Sequence, residues 1–263
     1  MDARTIDALA DRLIEAEITR TPIDVLSAEY PHMTAEEGYQ IQRAIITKKV
    51  ARGARVIGKK VAFTSRANQE LFKVHEPVYG QLLDSGVYAE GISVKTAALI
   101  QPMVDREITF VMRRRLEGPG VTVPEVLRAT EGIMPSLELA DSRMRDWIGR
   151  AKASDILADS CANAGIIVGG EIHSLQHFDL RHTGVVVEKN GEIIATAASA
   201  AVLGNPAQSI AWLVNKLAEV ALALEEGEMV LAGALVGSVR MAAGDVLKAT
   251  FGGGLGPVGV KFV

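Results

Sequence analysis

The chain has 263 residues, of which 48% are hydrophobic, with 28 Lys and Arg set against 32 Asp and Glu for a formal net charge of -4. That composition can bury a sizeable core and is expected of a soluble globular protein, one large domain or a small unit attached to one. The charges are spread out with no basic run interleaved with aromatics, which argues against nucleic-acid and anionic-membrane partners, and the single cysteine, Cys161, rules out an internal disulfide or a thiolate metal cluster.

The opening stretch MDARTIDALADRL carries acids where a signal peptide would carry its apolar region, and the longest apolar run, Met229 to Val239, is too short to span a bilayer. A cytoplasmic location is expected. Ile6, Leu9, Ala10, Leu13 and Ile14 fall at helical spacing and predict a first amphipathic helix that ends before Pro22. Thr34 with Glu37 predicts a capping box for a second helix, Ile41 and Ile45 carry its apolar stripe, and Gly53 marks its stop.

From Arg55 onward the texture changes to short β-rich runs punctuated by glycine and proline. Strands are expected over 56–63, 104–112, 132–139, 166–168, 184–188, 193–197, 230–239 and 246–251. Asn190-Gly191 predicts a two-residue hairpin turn, because both residues tolerate positive φ. After it, Asn205 and Pro206 predict a helix start, with Ile210, Leu213, Val214 and Leu217 facing inward. The organisation expected is therefore α+β: an N-terminal helical arm over 1–54, then a β-rich body over 55–263, read together as one structural unit. The literal G-x-G-x-x-G formed by Gly254, Gly256 and Gly259 has no room to open a helix, so these are read as turn glycines rather than a dinucleotide site.

VDREITF, residues 104–110, places two acids in a segment that reads as a partly buried strand. Side chains two apart share a face, so Asp105, Glu107 and Thr109 point one way and Val104, Arg106, Ile108 and Phe110 the other. Two strand rises of about 3.3 Å each put the acids roughly 7 Å apart, close enough for their carboxylates to converge on one cation. Glu138, between Leu137 and Leu139 on another apolar strand, adds a third oxygen donor, and three such donors suit Mg²⁺ or Mn²⁺. The competing reading is a solvated acidic face paired with neighbouring arginine. In VIGKKVAFTS, Lys59 and Lys60 point to opposite faces, so one is expected at the surface and one inward; an inward lysine near a dication would have a depressed pKa. The five histidines show no convincing ligand spacing; His173 and His177 lie in a polar connector, and His75 is the one to watch.

These segments together resemble the hydratases and decarboxylases of aromatic meta-cleavage pathways, within the fumarylacetoacetate hydrolase superfamily. The likeness is carried by GKKVAFTS, EPVYGQLLD, VDREITFV, GPGVTVPEVLRAT, PSLELADSR, DSCANAG, AAVLGNPAQSIAWLVNKLA and the closing LGPVGVKFV, and so covers nearly the whole chain. The resemblance implies a β-rich roll or sandwich of that superfamily's C-terminal-domain type. It implies a Mg²⁺ or Mn²⁺ ion held by Asp105, Glu107 and Glu138, with Lys60 rather than Lys59 as the active-site lysine. Ser65, Val78, Tyr79 and Ser160 are the implied substrate-binding residues, with Thr64 as a further polar candidate. A homo-oligomer, and a complex with the companion hydratase or decarboxylase, are implied as partners.

Three positions depart from the family pattern: Asp105 stands where Glu is usual, Arg106 where a small residue is usual, and Ser160 where Asn is usual. Val78 has the aliphatic character of the decarboxylases, whereas hydratases typically carry Asp there; DSRMRDW and ANAG look more like hydratase segments. The expected activity is therefore decarboxylation of 2-oxo-3-hexenedioate (4-oxalocrotonate) to 2-hydroxypenta-2,4-dienoate. Hydration of 2-hydroxy-2,4-dienoates is the alternative, and an inactive scaffold for a partner enzyme is the reading from another class. Acylpyruvate-type hydrolysis would need a water-activating His/Glu pair, and the helical arm offers no clear one.

Overall fold

The computed structural model describes residues 1–176 and 178–263, so His177 lies outside the described residues. The chain opens with helix α1 (Ala3–Thr19), a single turn α2 (Leu26–Glu29) and helix α3 (Ala35–Ala51). The Thr34 side chain accepts from the Glu37 backbone while Glu37 accepts from the Thr34 N–H, which satisfies two otherwise orphaned donors at the start of α3. Leu9, Leu13 and Ile14 of α1 pack on Ile41 and Ile45 of α3, and this small core continues onto Met144 and Ala158 of the body.

The body begins with β1 (Val56–Ala62), helix α4 (Arg66–Phe72), β2 (Val78–Leu83), β3 (Val87–Ala89) and β4 (Ser93–Val94). Two long strands follow, β5 (Met103–Met112) and β6 (Thr130–Ala140), joined through helix α5 (Val123–Ala129). Helix α6 (Ala153–Ala158) leads to β7 (Asn163–Val168), then the hairpin β8 (Gly184–Lys189) and β9 (Glu192–Ala198), and helix α7 (Pro206–Ala218). The chain closes with β10 (Met229–Leu231), β11 (Val239–Arg240), β12 (Val246–Phe251) and β13 (Gly256–Phe262).

The strands form two sheets. One runs β2-β1-β10-β5-β6-β7-β3, with β11 also paired to β5; the other runs β4-β13-β12-β8-β9. Ile108, Phe110 and Leu137 of the first, Leu247, Val258 and Phe262 of the second, and Ile210, Leu213 and Val214 of α7 share one core. The hairpin turn has φ of 55° at Asn190 and 85° at Gly191, the positive values that a tight antiparallel turn needs. Asn205 caps α7 by accepting from the Ala207 N–H, as expected. The glycines near residue 254 form the turn between β12 and β13.

The first sheet explains two local choices. Gly58 lies where a Cβ would come within 1.8 Å of the Met229 carbonyl oxygen, so the parallel β1–β10 contact requires glycine. The expected strand over 230–239 is corrected: β10 stops at Leu231 and the chain leaves the sheet until Val239. Its apolar run is continuous, but Gly233 at φ 125° turns it away. The ladder counts the excursion. Leu231 faces Thr109, yet Val104 faces Val239 instead of residue 236, so three extra residues are looped out opposite β5. That excursion forms one wall of the site.

Candidate active site

Antiparallel pairing of β5 and β6 puts Asp105 directly opposite Glu138 and Glu107 opposite Ser136. All three acids therefore share one sheet face, and all are buried: Asp105 is 9% exposed, Glu107 and Glu138 1% each. The solvated-face reading is thereby corrected. Arg106 does not neutralise them in direct contact either, since its side chain leaves on the opposite face with Val104 and Ile108.

Lys60 reaches the acids past the end of β10. Its Nζ lies 2.6 Å from Glu138 Oε1 and donates to the Cys161 carbonyl oxygen at 3.1 Å. That carbonyl is aimed by a tight turn at Ser160, Cys161 and Ala162, which take φ of 51°, 54° and 56° in succession, a left-handed excursion that non-glycine residues adopt only when the surroundings impose it. One of the two lysines was expected at the surface, but neither is: Lys59 is buried on the other face and paired with Glu228 at 2.5 Å. Two buried lysines thus have two different carboxylate partners.

The remaining polar contacts come from elements that pattern reading had not assigned to the site. Asn163 Nδ2 donates to Glu138 Oε1 at 2.8 Å, and the Gly233 N–H donates to Glu107 Oε2 at 2.8 Å. Asn163 sits in the DSCANAG segment that carried part of the resemblance, and Gly233 in the apolar run read as strand. Among the described residues, Asp105 Oδ1 is a buried carboxylate oxygen with no hydrogen-bond partner.

The electrostatics follow from burial. Burial works against the Lys60 ammonium, but the carboxylates of Glu138 and Glu107 outweigh it and hold its pKa above the ordinary lysine value. The depression expected for a lysine beside a dication belongs to the ion-loaded site; among the protein's own groups, the nearest charges to Lys60 are carboxylates. Glu107 is pushed well above the usual carboxylate range, first by burial and then by the charge of Glu138. Burial raises Glu138 as well, in spite of Lys60 beside it. The Cys161 thiol is pushed up to about 12 by burial, so it is no thiolate nucleophile near neutrality.

These groups open onto a cavity of about 380 Å³ lined by Lys60, Asp105, Glu107 and Glu138 at one end. Thr64 and Ser65 line it too, with Ser65 also capping α4 through the Asn68 N–H. The other walls are largely apolar: Phe63, Phe72, Trp147, Ile156 and Val236. Phe63, at φ 58°, stacks on Phe72 with ring centroids 4.4 Å apart. The other expected substrate-binding residues are placed elsewhere. Val78 pairs with Ala62 and is buried in the main core, while Tyr79 stacks on Tyr39 at 4.7 Å against α3. Ser160 lines a different and larger cavity of about 730 Å³, behind Asn163, whose Lys49 and Arg143 are already paired with Glu17 and Asp159. A strand alternation read from sequence says which face a residue takes, but not what covers that face.

The donor set is made only of hard oxygen atoms, three mutually repelling carboxylates with one buried ammonium, and one carboxylate oxygen lacks a partner. That chemistry fits a small divalent cation. Among the described residues no three His, Cys, Asp or Glu side chains stand preassembled at metal-bonding spacing, because Glu138 is drawn onto Lys60 and Glu107 onto the Gly233 amide.

Residues 57–263 match the family model described as fumarylacetoacetate (FAA) hydrolase C-terminal. The chain belongs to that family. It is 38% identical over 247 residues to a 2-hydroxyhexa-2,4-dienoate hydratase of Comamonas testosteroni, covering 93% of this chain and 92% of the relative. It is 36% identical over 256 residues to a 4-oxalocrotonate decarboxylase of Pseudomonas sp. strain CF600, covering 97% and 96% respectively. Among solved structures, the 4-oxalocrotonate decarboxylase from Pseudomonas putida G7, complexed with magnesium and adipate, superposes with a TM-score of 0.96 at 34% identity and covers 100% of this chain and 99% of its own. The α+β architecture expected from sequence, helices first and mixed sheets after, is the fold of that structure.

Proposed function

We propose that this chain is a divalent-metal-dependent carbon lyase that decarboxylates 2-oxo-3-hexenedioate to 2-hydroxypenta-2,4-dienoate. The observation that carries the reading is the asymmetry of the cavity: three buried carboxylates and Lys60 at one end, apolar side chains over most of the rest. Asp105, Glu107 and Glu138 would hold the ion, and the unpartnered Oδ1 of Asp105 is the atom most in need of one. When bound, a dication supplies an electron sink at the substrate's 2-oxo group.

The chain's own residues do the rest. Lys60 Nζ offsets the carboxylates' negative charge and is the proton carrier nearest to them. Asn163 and the Gly233 amide hold Glu138 and Glu107 in place. The apolar wall of Phe63, Phe72, Trp147 and Val236 excludes water from the substrate's distal carboxylate, which favours loss of CO₂ over keeping the charge desolvated. Cleavage of the C5–C6 bond sends its electron pair through the conjugated system to the 2-oxo oxygen, which takes a proton.

Hydration of 2-hydroxy-2,4-dienoates is the second reading, favoured by the hydratase relative at 38% identity. Against it, among the described residues the cavity lining includes no histidine and no acid beyond the three carboxylates to orient an attacking water. The reading extends to a homo-oligomer, supported by exposed Ile193 and Ile194 on the edge strand β9, and to association with the companion enzyme of the same route. The test is to incubate the protein with Mg²⁺ or Mn²⁺ and 2-oxo-3-hexenedioate and follow CO₂ release against formation of a hydrated product, with and without chelator. CO₂ release that a chelator abolishes is expected. Hydration without CO₂ release establishes the second reading, and no turnover with metal present favours an inactive scaffold.

A further inference from the structure

Arg106 lies between two of the three site acids along β5, yet it points away from them into the core, where its side chain is fully buried. Among the described residues no carboxylate touches it. Its hydrogen bonds go to carbonyl oxygens instead. Nη2 donates to Val236 at 3.0 Å and Gly237 at 2.6 Å, and Nη1 donates to Val104 at 2.6 Å. The main chain of the same residue joins in, because the Leu235 N–H donates to the Arg106 carbonyl oxygen at 3.0 Å.

Those partners are the excursion between β10 and β11. Three extra residues opposite β5 leave carbonyls that a continuous ladder would have satisfied, and a buried unpaired carbonyl is costly. A guanidinium can serve the two successive carbonyls from one arm of its planar fork, Nη2, while the other arm, Nη1, reaches Val104, and it keeps its charge while buried. The same excursion contains Gly233, whose N–H holds Glu107 Oε2, and its residues Ala234, Leu235, Val236, Gly237 and Ser238 line the cavity together with Thr64 and Ser65.

We propose that Arg106 is a positioning residue: its buried guanidinium pins the 232–238 excursion, and through it sets the Gly233 amide on Glu107 and the cavity wall against the substrate's distal end. The kinetic part of this rests on the proposed lyase reading; the structural part does not. Arg106 carries no chemistry of its own, since β5 lies between its guanidinium and the cavity.

The test uses Arg106→Met and Arg106→Lys in the full chain, with amide hydrogen exchange over 232–238 as the first readout and steady-state kinetics as the second. Arg106→Met is expected to speed exchange at Gly233 and Leu235 at least tenfold relative to the β5–β6 ladder, and to raise KM for the distal-carboxylate substrate by more than it lowers kcat. Arg106→Lys keeps the charge but loses the fork, so it is expected to fall between wild type and Arg106→Met on both readouts. If Arg106→Met does not fold, Arg106→Lys alone decides. Wild-type exchange over 232–238 in a folded Arg106→Met or Arg106→Lys overturns the proposal, as does a uniform rise in exchange across the whole body, which marks a merely structural role. If the wild-type protein turns over no 2-oxo-enoate, the lyase reading fails while hydrogen exchange still decides the role of Arg106.

Discussion

Replacing Lys60 by methionine separates a catalytic lysine from a structural one, because the chain carries an internal control next to it. Lys60 and Lys59 are both buried, on opposite faces of β1, and each has one carboxylate partner: Glu138 at 2.6 Å and Glu228 at 2.5 Å. Methionine keeps the length of the apolar stem and removes the charge. Breaking either buried pair leaves an uncompensated carboxylate at a cost of about 3 kcal/mol, which for a chain of this size lowers Tm by roughly 6 to 12 °C. The two variants are therefore expected to lose similar stability without metal. They diverge once Mg²⁺ is added. In Lys60→Met the stranded Glu138 belongs to the carboxylate set, so millimolar Mg²⁺ is expected to restore several degrees of Tm; in Lys59→Met Glu228 is remote and the ion gives no more than the wild-type shift. Turnover follows the same split, with kcat falling roughly 100- to 1000-fold in Lys60→Met, the usual size of a proton-transfer contribution, and staying within about threefold in Lys59→Met. Thermal melts with and without Mg²⁺, beside steady-state kinetics, give the stability loss, the Mg²⁺ shift and kcat for each variant. Lys60→Met within tenfold of wild-type kcat, or equal Mg²⁺ rescue of both variants, would refute the reasoning.

Gly233→Ala tests the amide that holds Glu107: φ is 125° and a Cβ would lie 2.4 Å from Thr64 Oγ1, so a stability loss of about 2 kcal/mol is expected together with a drop in kcat of at least roughly tenfold. Gly58→Ala is expected to cost about 3 kcal/mol or more by forcing β1 off the Met229 carbonyl oxygen, read as a fall in Tm with weaker tryptophan burial. Asp245 accepts from Lys189, Asn190 Nδ2 and the Ala242 N–H, and the first two hold its carboxyl at about 2, below the ordinary value of 3.8. A depressed carboxyl stabilises above its unfolded-state pKa and loses that contribution as pH falls through the folded value. The stability gap between wild type and Asp245→Asn is thus expected to be about 1 kcal/mol near neutrality after allowing for solvent screening, and to close between about pH 4 and pH 2 in urea titrations. A gap that widens on acidification would contradict the sign.

Much of the architecture was written locally. The Thr34–Glu37 capping box, the Asn190-Gly191 turn, the Asn205-Pro206 helix start and the alternation that put Asp105 and Glu107 on one face all rest on contacts within a few residues, which the sequence displays directly. Glu138 was legible as a lone acid in an apolar strand, the resemblance singled out Lys60 over Lys59, and the fold brings all four groups to one cavity. The failures share one cause: they depend on what packs against a segment from far along the chain. One lysine of the Lys59–Lys60 pair was expected at the surface because Glu228, the partner that lets Lys59 be buried, is distant in sequence. The run at 230–239 read as one strand because its composition is uniformly apolar, and only Gly233 and the ladder to β5 reveal the excursion. For Val78, Tyr79 and Ser160, strand alternation fixes a face but not its cover, and the structure puts the first two against the main core and the third on the larger cavity.

By itself, then, the order of residues determined many of the secondary elements and the shared face of two acids, because backbone sterics and side-chain periodicity are short-range; the superfamily followed from the resemblance of whole segments. Only tertiary structure decided that Glu138 stands across from Asp105, that the Cys161 carbonyl and Asn163 flank Lys60 and Glu138, and that a buried arginine reaches the wall, because register and burial are settled between segments 25 to 131 residues apart.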